Sequence, residues 1–446
     1  MSTPHAIANQ TPRGRPPRTA VAMPYFTSQD PALMRALSNR DPLGFLPIWS
    51  AFARRLVPNV ASPVGQINGI RAVLLILWLS NQREIEAALF KGKDARRHFF
   101  RLMEGLIEYW LMSSGRAYCY GANTLNASGD AFALTIQSGK TVANGLYQYY
   151  RGTCRRAGFV DNDWLVSGEI GAALQAQWSP AATRALIAAL DAPLADSRVP
   201  LVPARHLDGS KLAQALERVF APDMLLDLFR TRLFGEPAQR ALAKRFATLQ
   251  AGTDAMSFHQ IIEALKSEPP PGLEVSKPQL DREVQCVLDC EPFLVVMQDV
   301  FDVLRASGGR ELGAVAGTLA AWMDDMARRA RAFGKLDGEL DTERMRQLQR
   351  LAATLAVGGA QANAAMRRDA LVAFLRELVE FHQRCMAERG RDPLVMIEGT
   401  RLVTLVPGER DPQEAHERLE SGTPWINDYY FRTTSRLYGQ VFGDGR

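Results

Sequence analysis

The segment GQINGIRAVLLILWLS, residues 65–80, is apolar nearly all round when placed on a helix. Such a helix is stable in water only if other elements cover every side of it. Its uninterrupted apolar run, 72–79, is far shorter than the roughly 20 residues that cross a bilayer. The expectation is therefore a buried central helix with several amphipathic neighbours, and no membrane span.

Those neighbours can be read along the chain. DPLGFLPIWSAFARRLVP opens with Asp41 and Pro42, a cap and first-turn proline, and closes at Pro58 after Arg54 and Arg55, cations suited to a helix C-terminus. NQREIEAALFKGKDARRHFFRLMEGLIEYWLMSSG predicts one long or two shorter amphipathic helices, with Gly92 as the break. RAYCYGANTLNASGDAFALTIQSG is a loop with room for short strands. SPAATRALIAALDAPL begins with the cap-like Ser179 and Pro180, and further helical patterns follow on both sides of SEPPPGLEVSKPQ. PLVMIEGTRLVTLVPG differs: two β-prone runs flank Glu398, Gly399 and Thr400 and predict a hairpin over 394–406. A C-terminal helix is expected from Pro424.

The fold class is therefore mainly α and multi-helical, in two domains, with a winged-helix-like segment and a small C-terminal β-hairpin. Residues 1–24 carry prolines and no acidic side chain and read as a disordered basic arm. Residues 25–266 form a helical domain containing a module over 138–177, residues 267–279 a Pro-rich linker, and residues 280–446 a C-terminal helical domain.

A net charge of +5 over 446 residues permits a polyanionic partner. The five cysteines, Cys119, Cys154, Cys286, Cys290 and Cys385, are odd in number and lack disulfide-framework spacing, which fits a reducing cytoplasm. The N-terminus lacks the apolar core of a secretory signal, so a cytoplasmic location is expected.

Chemistry-bearing motifs are scarce. No GxxxxGK[ST] loop occurs, and the SGK at 138–140 lacks the glycine spacing that wraps amides round a phosphate. Cys286 and Cys290 lie four apart with no His or second Cys pair to complete a zinc tetrad, and read as a buried structural pair. His98, His259 and His382 sit in helical patterns without an HExxH spacing, where packing or a surface position explains them. Asp289 with Glu291, and Asp324 with Asp325, are carboxylates a metal-dependent nuclease could use, but side chains one or two apart on a helix do not face one another. No catalytic residue, metal or cofactor is assigned.

NGLYQYYRGTCRRAGFV, residues 144–160, carries the most distinctive pattern. On a helix from about Ser138, Lys140, Asn144, Gln148, Arg151 and Arg155 run down one donor-rich stripe, with Arg156 beside it. Val142, Leu146, Tyr149, Thr153 and Ala157 line another face. Ser138 is the expected N-cap, Gly158 the left-handed stop, and Phe159 the hydrophobic contact that closes the end. FVDNDWLVSGEIGAALQAQW then predicts a small hairpin turning at Asp161, Asn162 and Asp163, and a new helix after Ser167. This order resembles a winged-helix module over 138–177, which implies Arg on phosphates or guanine edges and Asn or Gln on adenine edges. Asp161 and Asp163 would repel phosphates, so any contact falls to the helix. An amphipathic helix used for protein contact explains the same stripe. Arg13, Arg15 and Arg18 of the arm are further candidate phosphate contacts.

A second resemblance covers the first third of the chain. DPLGFLPIWSAFARRLVPNVASPVGQINGIRAVLLILWLS, then YGANTL and NGLYQYYRGTCRRAGF, is similar to the layout of uncharacterised bacterial proteins of mobile and antiviral-defence gene clusters. It implies a cellular role and no catalytic residue. The resulting expectation is a non-catalytic nucleic-acid-binding and scaffold subunit, with DNA or RNA and other protein subunits as partners. Two alternatives stand beside it. One is a pure protein-interaction scaffold using Tyr147, Tyr149, Tyr150, Trp425, Tyr429, Tyr430 and Phe431; the other is a metal-dependent nuclease.

Overall fold

The computed structural model of the protein describes residues 41–60, 65–116, 122–136, 145–195, 202–203, 210–250, 258–267, 277–406, 412–421, 425 and 427–443. The arm at 1–24, with Arg13, Arg15 and Arg18, lies outside them, as do Ser138, Lys140, Asn144 and most of the 267–279 segment. The described chain is mainly α.

Helix α1 (Leu46–Leu56) starts later than the Asp41-Pro42 pair predicts, because Gly44 is left-handed at φ 68° and holds 41–45 as a turn. Asp41 still serves the helix end: its carboxylate accepts from the Phe45 N–H at 2.7 Å and the Leu46 N–H at 3.2 Å. Helix α2 (Ile67–Ser80) is the expected central helix, with every side chain from Ile70 to Leu79 buried. Its one charge, Arg71, is only 2% exposed. The guanidinium is tolerated there because it donates to the carbonyls of Pro222 at 2.9 Å and Met224 at 2.8 Å, and to Asn68 Oδ1 at 3.0 Å.

Around α2 come α3 (Arg83–Leu89) and α4 (Ala95–Ser113), divided near Gly92 at φ 91° as expected, then α5 (Ala122–Ser128), α6 (Leu146–Arg156) and α7 (Gly168–Gln177). Helices α3, α4, α6 and α7 pack on α2, and α8 (Pro180–Ala195) closes over α3 and α4. The Ser179 hydroxyl accepts from the Ala182 N–H at 3.2 Å, the predicted cap. Helices α9 (Lys211–Val219), α10 (Leu226–Phe234), α11 (Pro237–Gln250) and α12 (Phe258–Ser267) follow. The 30-residue α13 (Lys277–Ala306) then packs on α1, with α14 (Leu312–Leu319), α15 (Met323–Gly334), α16 (Glu343–Gly359), α17 (Ala364–Ala387), α18 (Pro412–Ser421) and α19 (Phe431–Phe442) after it.

Strand content is small. β1 (Ala133–Leu134) pairs antiparallel with β2 (Val202–Pro203), and β3 (Val395–Glu398) with β4 (Arg401–Thr404). The second pair is the predicted hairpin; Gly399, φ 63°, is the first of two turn residues, the place where a II′ turn needs glycine. Residues on both sides of 267–279 share one hydrophobic cluster, running from Leu43 to Val441. Helix α19 packs on α2, α10 and α11, and Gln440 spans back to the start of α2, accepting from the Ile67 N–H and donating to the Gly65 carbonyl, both at 2.9 Å.

Two buried polar centres fasten distant segments. Glu291, fully buried on α13, accepts from Trp49 Nε1 at 2.6 Å, from the Tyr429 hydroxyl at 2.8 Å and from the Asn427 N–H at 3.3 Å. Burial, then the adjacent carboxylate, push the Tyr429 phenol well above its ordinary pKa, so it stays a donor. Tyr429 and Tyr430 are left-handed, φ 46° and 64°, which sends their rings to α13 and to Ser50 of α1 and makes the last helix begin at Phe431 instead of Pro424. The second centre is His382, also fully buried. Its Nδ1 donates to the Pro42 carbonyl at 2.9 Å while Nε2 accepts from the Leu394 N–H at 2.8 Å, and burial pushes its pKa down to about 4.

Two of the candidate carboxylates have ion-pair partners: Asp324 pairs with Arg367 at 2.6 Å, and Asp325 with Arg329 at 2.7 Å. Cys154, Cys286, Cys290 and Cys385 are buried free thiols. Among the described residues no helix is long and apolar enough to cross a membrane.

Candidate functional site

Helix α6 begins at Leu146, and its first donors meet a carboxylate from another helix. Glu104 of α4, fully buried, accepts through Oε1 from the N–H of Gly145 and, at 2.8 Å, from that of Leu146. The helix end carries partial positive charge, so this contact favours the carboxylate. Burial works the other way and dominates, pushing Glu104 up to about 8. Its Oε2 is buried without a hydrogen-bond partner among the described residues.

One turn on, the Tyr150 ring occupies the space where a Cβ on Gly69 would sit, so the ring of α6 packs directly on the backbone of α2. This contact sets the rotation of α6. Leu146, Tyr147, Tyr150, Thr153 and Cys154 face inward, and Tyr149 is only partly buried, whereas the sequence pattern puts Tyr149 on the inner face. The far end follows the predicted stop. Gly158 is left-handed at φ 68°, the Phe159 N–H donates to the Cys154 carbonyl at 2.9 Å, and the Gly158 N–H to the Arg155 carbonyl at 3.1 Å, the paired bonds of a Schellman end. Arg232 of α10 donates to the Gly158 carbonyl and to Glu169 at 2.7 Å, fastening this end to α7.

Gln148, Arg151, Arg155 and Arg156 are all exposed, and α6 contains no acidic residue. Their freedom differs. The Arg151 guanidinium lies over the Tyr147 ring at 5.7 Å, and Arg155 donates to Asn162 Oδ1 at 2.7 Å. Partial desolvation, then Arg54, lower the pKa of Arg156, which marks like charge from α1 beside the helix.

The predicted hairpin after α6 contracts to a turn with one bridge, Val160 to Val166. The acidic residues of that turn act locally. Asp161 Oδ1 accepts from the N–H groups of Asp163 and Leu165, each at 2.9 Å, and Trp164 is left-handed at φ 65°. A tryptophan in that region costs on the order of 1–2 kcal/mol, offset here by the turn's hydrogen bonds and by ring contacts. Its ring centroid is 5.1 Å from that of Tyr147, which in turn meets Phe100 edge-on at 5.5 Å.

These three rings border a pocket, partly open to solvent, between the end of α2, the first turns of α4, the start of α6 and the turn. Arg96, Arg97 and Asp163 also line it. Arg96 pairs with Glu86 at 2.7 Å and lies over Phe90, and the Nε of Arg97 is buried without a hydrogen-bond partner. Burial, then Arg101 and Arg97, lower the pKa of His98, a sign of the positive field along this end of α4.

Sequence reasoning found Gln148, Arg151, Arg155 and Arg156, and the structure brings these together on one helix. Lys140 and Asn144 lie outside the described residues. It missed Phe100, Trp164, Arg96 and Arg97. The run KGKDARRHFFR, with basic and aromatic residues interleaved, was the available signal for three of these. The pattern alone fits a wet helix face equally well. Comparison with protein-family models, curated proteins and solved structures finds no match to this chain.

Proposed function

We propose that this chain is a non-catalytic nucleic-acid-binding subunit that contacts the phosphate backbone through α6. The observation that carries the reading is the exposed face of Gln148, Arg151, Arg155 and Arg156 on a helix free of carboxylates. Arg151 and Arg155 are already braced, on Tyr147 and Asn162, which lowers the entropy lost when they meet a phosphate. Asp161, one of the two turn acids expected to repel phosphates, is turned into its own backbone. The protein-scaffold part of the role finds support elsewhere, in Val357 and Met366, 62% and 54% exposed near the junction of α16 and α17. Placement of such a complex in antiviral defence rests on the resemblance of the N-terminal third.

Titration of oligonucleotides against salt tests the reading. Arg151→Ala with Arg156→Ala should weaken binding at least 10-fold at 0.1 M salt. The log–log salt slope should flatten by about one to two. Affinity and slope equal to those of the parent chain would reject it.

A further inference from the structure

Resting on that reading, we propose that the pocket at Trp164 takes one nucleotide of a single strand, its base among the rings of Phe100, Tyr147 and Trp164 and its phosphate on Arg96 and Arg97. The chemistry of its lining points there. Aromatic walls attract any planar π system, and bases of every sequence have one. Arg97, and Arg96 with its exposed partner Glu86, bring two cations to the lining, which an apolar ligand would leave without a role. Asp163 at the rim accepts hydrogen bonds, which fits an exocyclic amine on the base edge.

The strand must be single. A base stacked and paired in a duplex cannot enter a pocket walled by three rings without leaving its helix. The left-handed Trp164 fits this role: the turn holds the ring at an unfavourable backbone conformation, 5.1 Å from Tyr147. The exposed face of α6 begins one residue past Tyr147, so a strand whose base enters the pocket can lay its next phosphates on Arg151.

The test uses the full chain and four probes. These are a single-stranded 12-mer read at low and at raised salt, the same sequence as a blunt duplex, the single strand with one abasic position, and adenosine monophosphate. Binding is read by anisotropy for the strands and by calorimetry for the mononucleotide. The single strand is expected to bind at least 10-fold more tightly than the duplex, with the abasic strand weaker than its parent. Trp164→Asn removes the ring while keeping a residue that tolerates the left-handed region, and should cost about 10-fold on the single strand and nothing on the duplex. Arg97→Gln should weaken the single strand and reduce its salt slope by about one.

Equal binding of duplex and single strand, with both variants silent while Arg151→Ala still weakens both, overturns the pocket and leaves the α6 reading standing. Binding of neither strand, at any salt, overturns the α6 reading itself. Adenosine monophosphate bound as tightly as the 12-mer, and lost in Trp164→Asn, overturns the strand in favour of a free nucleotide.

Discussion

Glu104 on α4 and Glu291 on α13 are both fully excluded from solvent, and each is the acceptor around which a distant stretch of chain is organised. Glu291 is saturated by an indole N–H, a phenol and a backbone N–H. Glu104 spends one oxygen on the two amides that open α6 and keeps Oε2 without a hydrogen bond. The same side chain therefore does two jobs. Where both oxygens are engaged, burial yields a rigid joint between α1, α13 and the segment before α19. Where half the group is unused, the carboxyl is left near a proton equilibrium, pushed up to about 8 beneath the helix that carries the exposed arginines.

The largest expected effect comes from breaking the saturated centre. Glu291→Ala leaves Trp49 Nε1, the Tyr429 hydroxyl and the Asn427 N–H without an acceptor and should cost roughly 3–5 kcal/mol of stability. A denaturant titration that shows less than about 1 kcal/mol would mean that water or neighbouring groups replace the carboxylate.

Glu104 is probed by pH instead. Its folded pKa, about 8, lies above the ordinary 4.5, so the folded chain binds the extra proton between those values. Stability from this group is therefore full below pH 4.5 and is lost as pH rises through 8, with an upper limit of about 5 kcal/mol. Glu104→Gln keeps an acceptor for the Gly145 and Leu146 amides and should flatten that decline in thermal melts. A decline unchanged in the variant would assign it to another group.

The smallest of the three effects has the opposite sign. His382 has a folded pKa of about 4 against an ordinary 6.5, so the unfolded chain binds the extra proton in that window. Stability should fall by about 3 kcal/mol as pH drops from 6.5 to 4. Between pH 4.5 and 6.5 the two groups oppose each other, so Glu104→Gln should expose the histidine slope more clearly than the parent chain does. A pH-independent baseline in the variant would show that His382 titrates normally.

Periodicity made most of the helices legible, and turn chemistry made the 394–406 hairpin and the Gly158 stop legible, because both signals are local. The misses are long-range. Glu104 and Glu108 stand i, i+4 in EGLIEYW, the spacing of a wet stripe, yet both are buried because other helices close over α4. Tyr147, Tyr149 and Tyr150 give α6 a broad apolar arc, and nothing within the helix decides its centre. That decision comes from Gly69, on a helix far earlier in the chain. Asp161 reads as a repulsive charge until its carboxylate is seen to bind two amides of its own turn. Of the candidate site, the arginine face was visible and the ring-walled pocket was not, since its walls come from α4, α6 and the turn between α6 and α7.

Gly69 also bears on how sequences of this type can diverge. Inside a helix glycine is about 1 kcal/mol worse than alanine, so drift alone would replace it. Here the ring of Tyr150 takes up the place of the missing methyl group, and residue 69 cannot gain a side chain while Tyr150 keeps its ring there. In descendants of this chain the two positions should therefore covary. A larger side chain at 69 should be accompanied by a smaller one at 150, and the pair would serve as a marker for the α2–α6 contact even where the surrounding sequence has drifted beyond recognition.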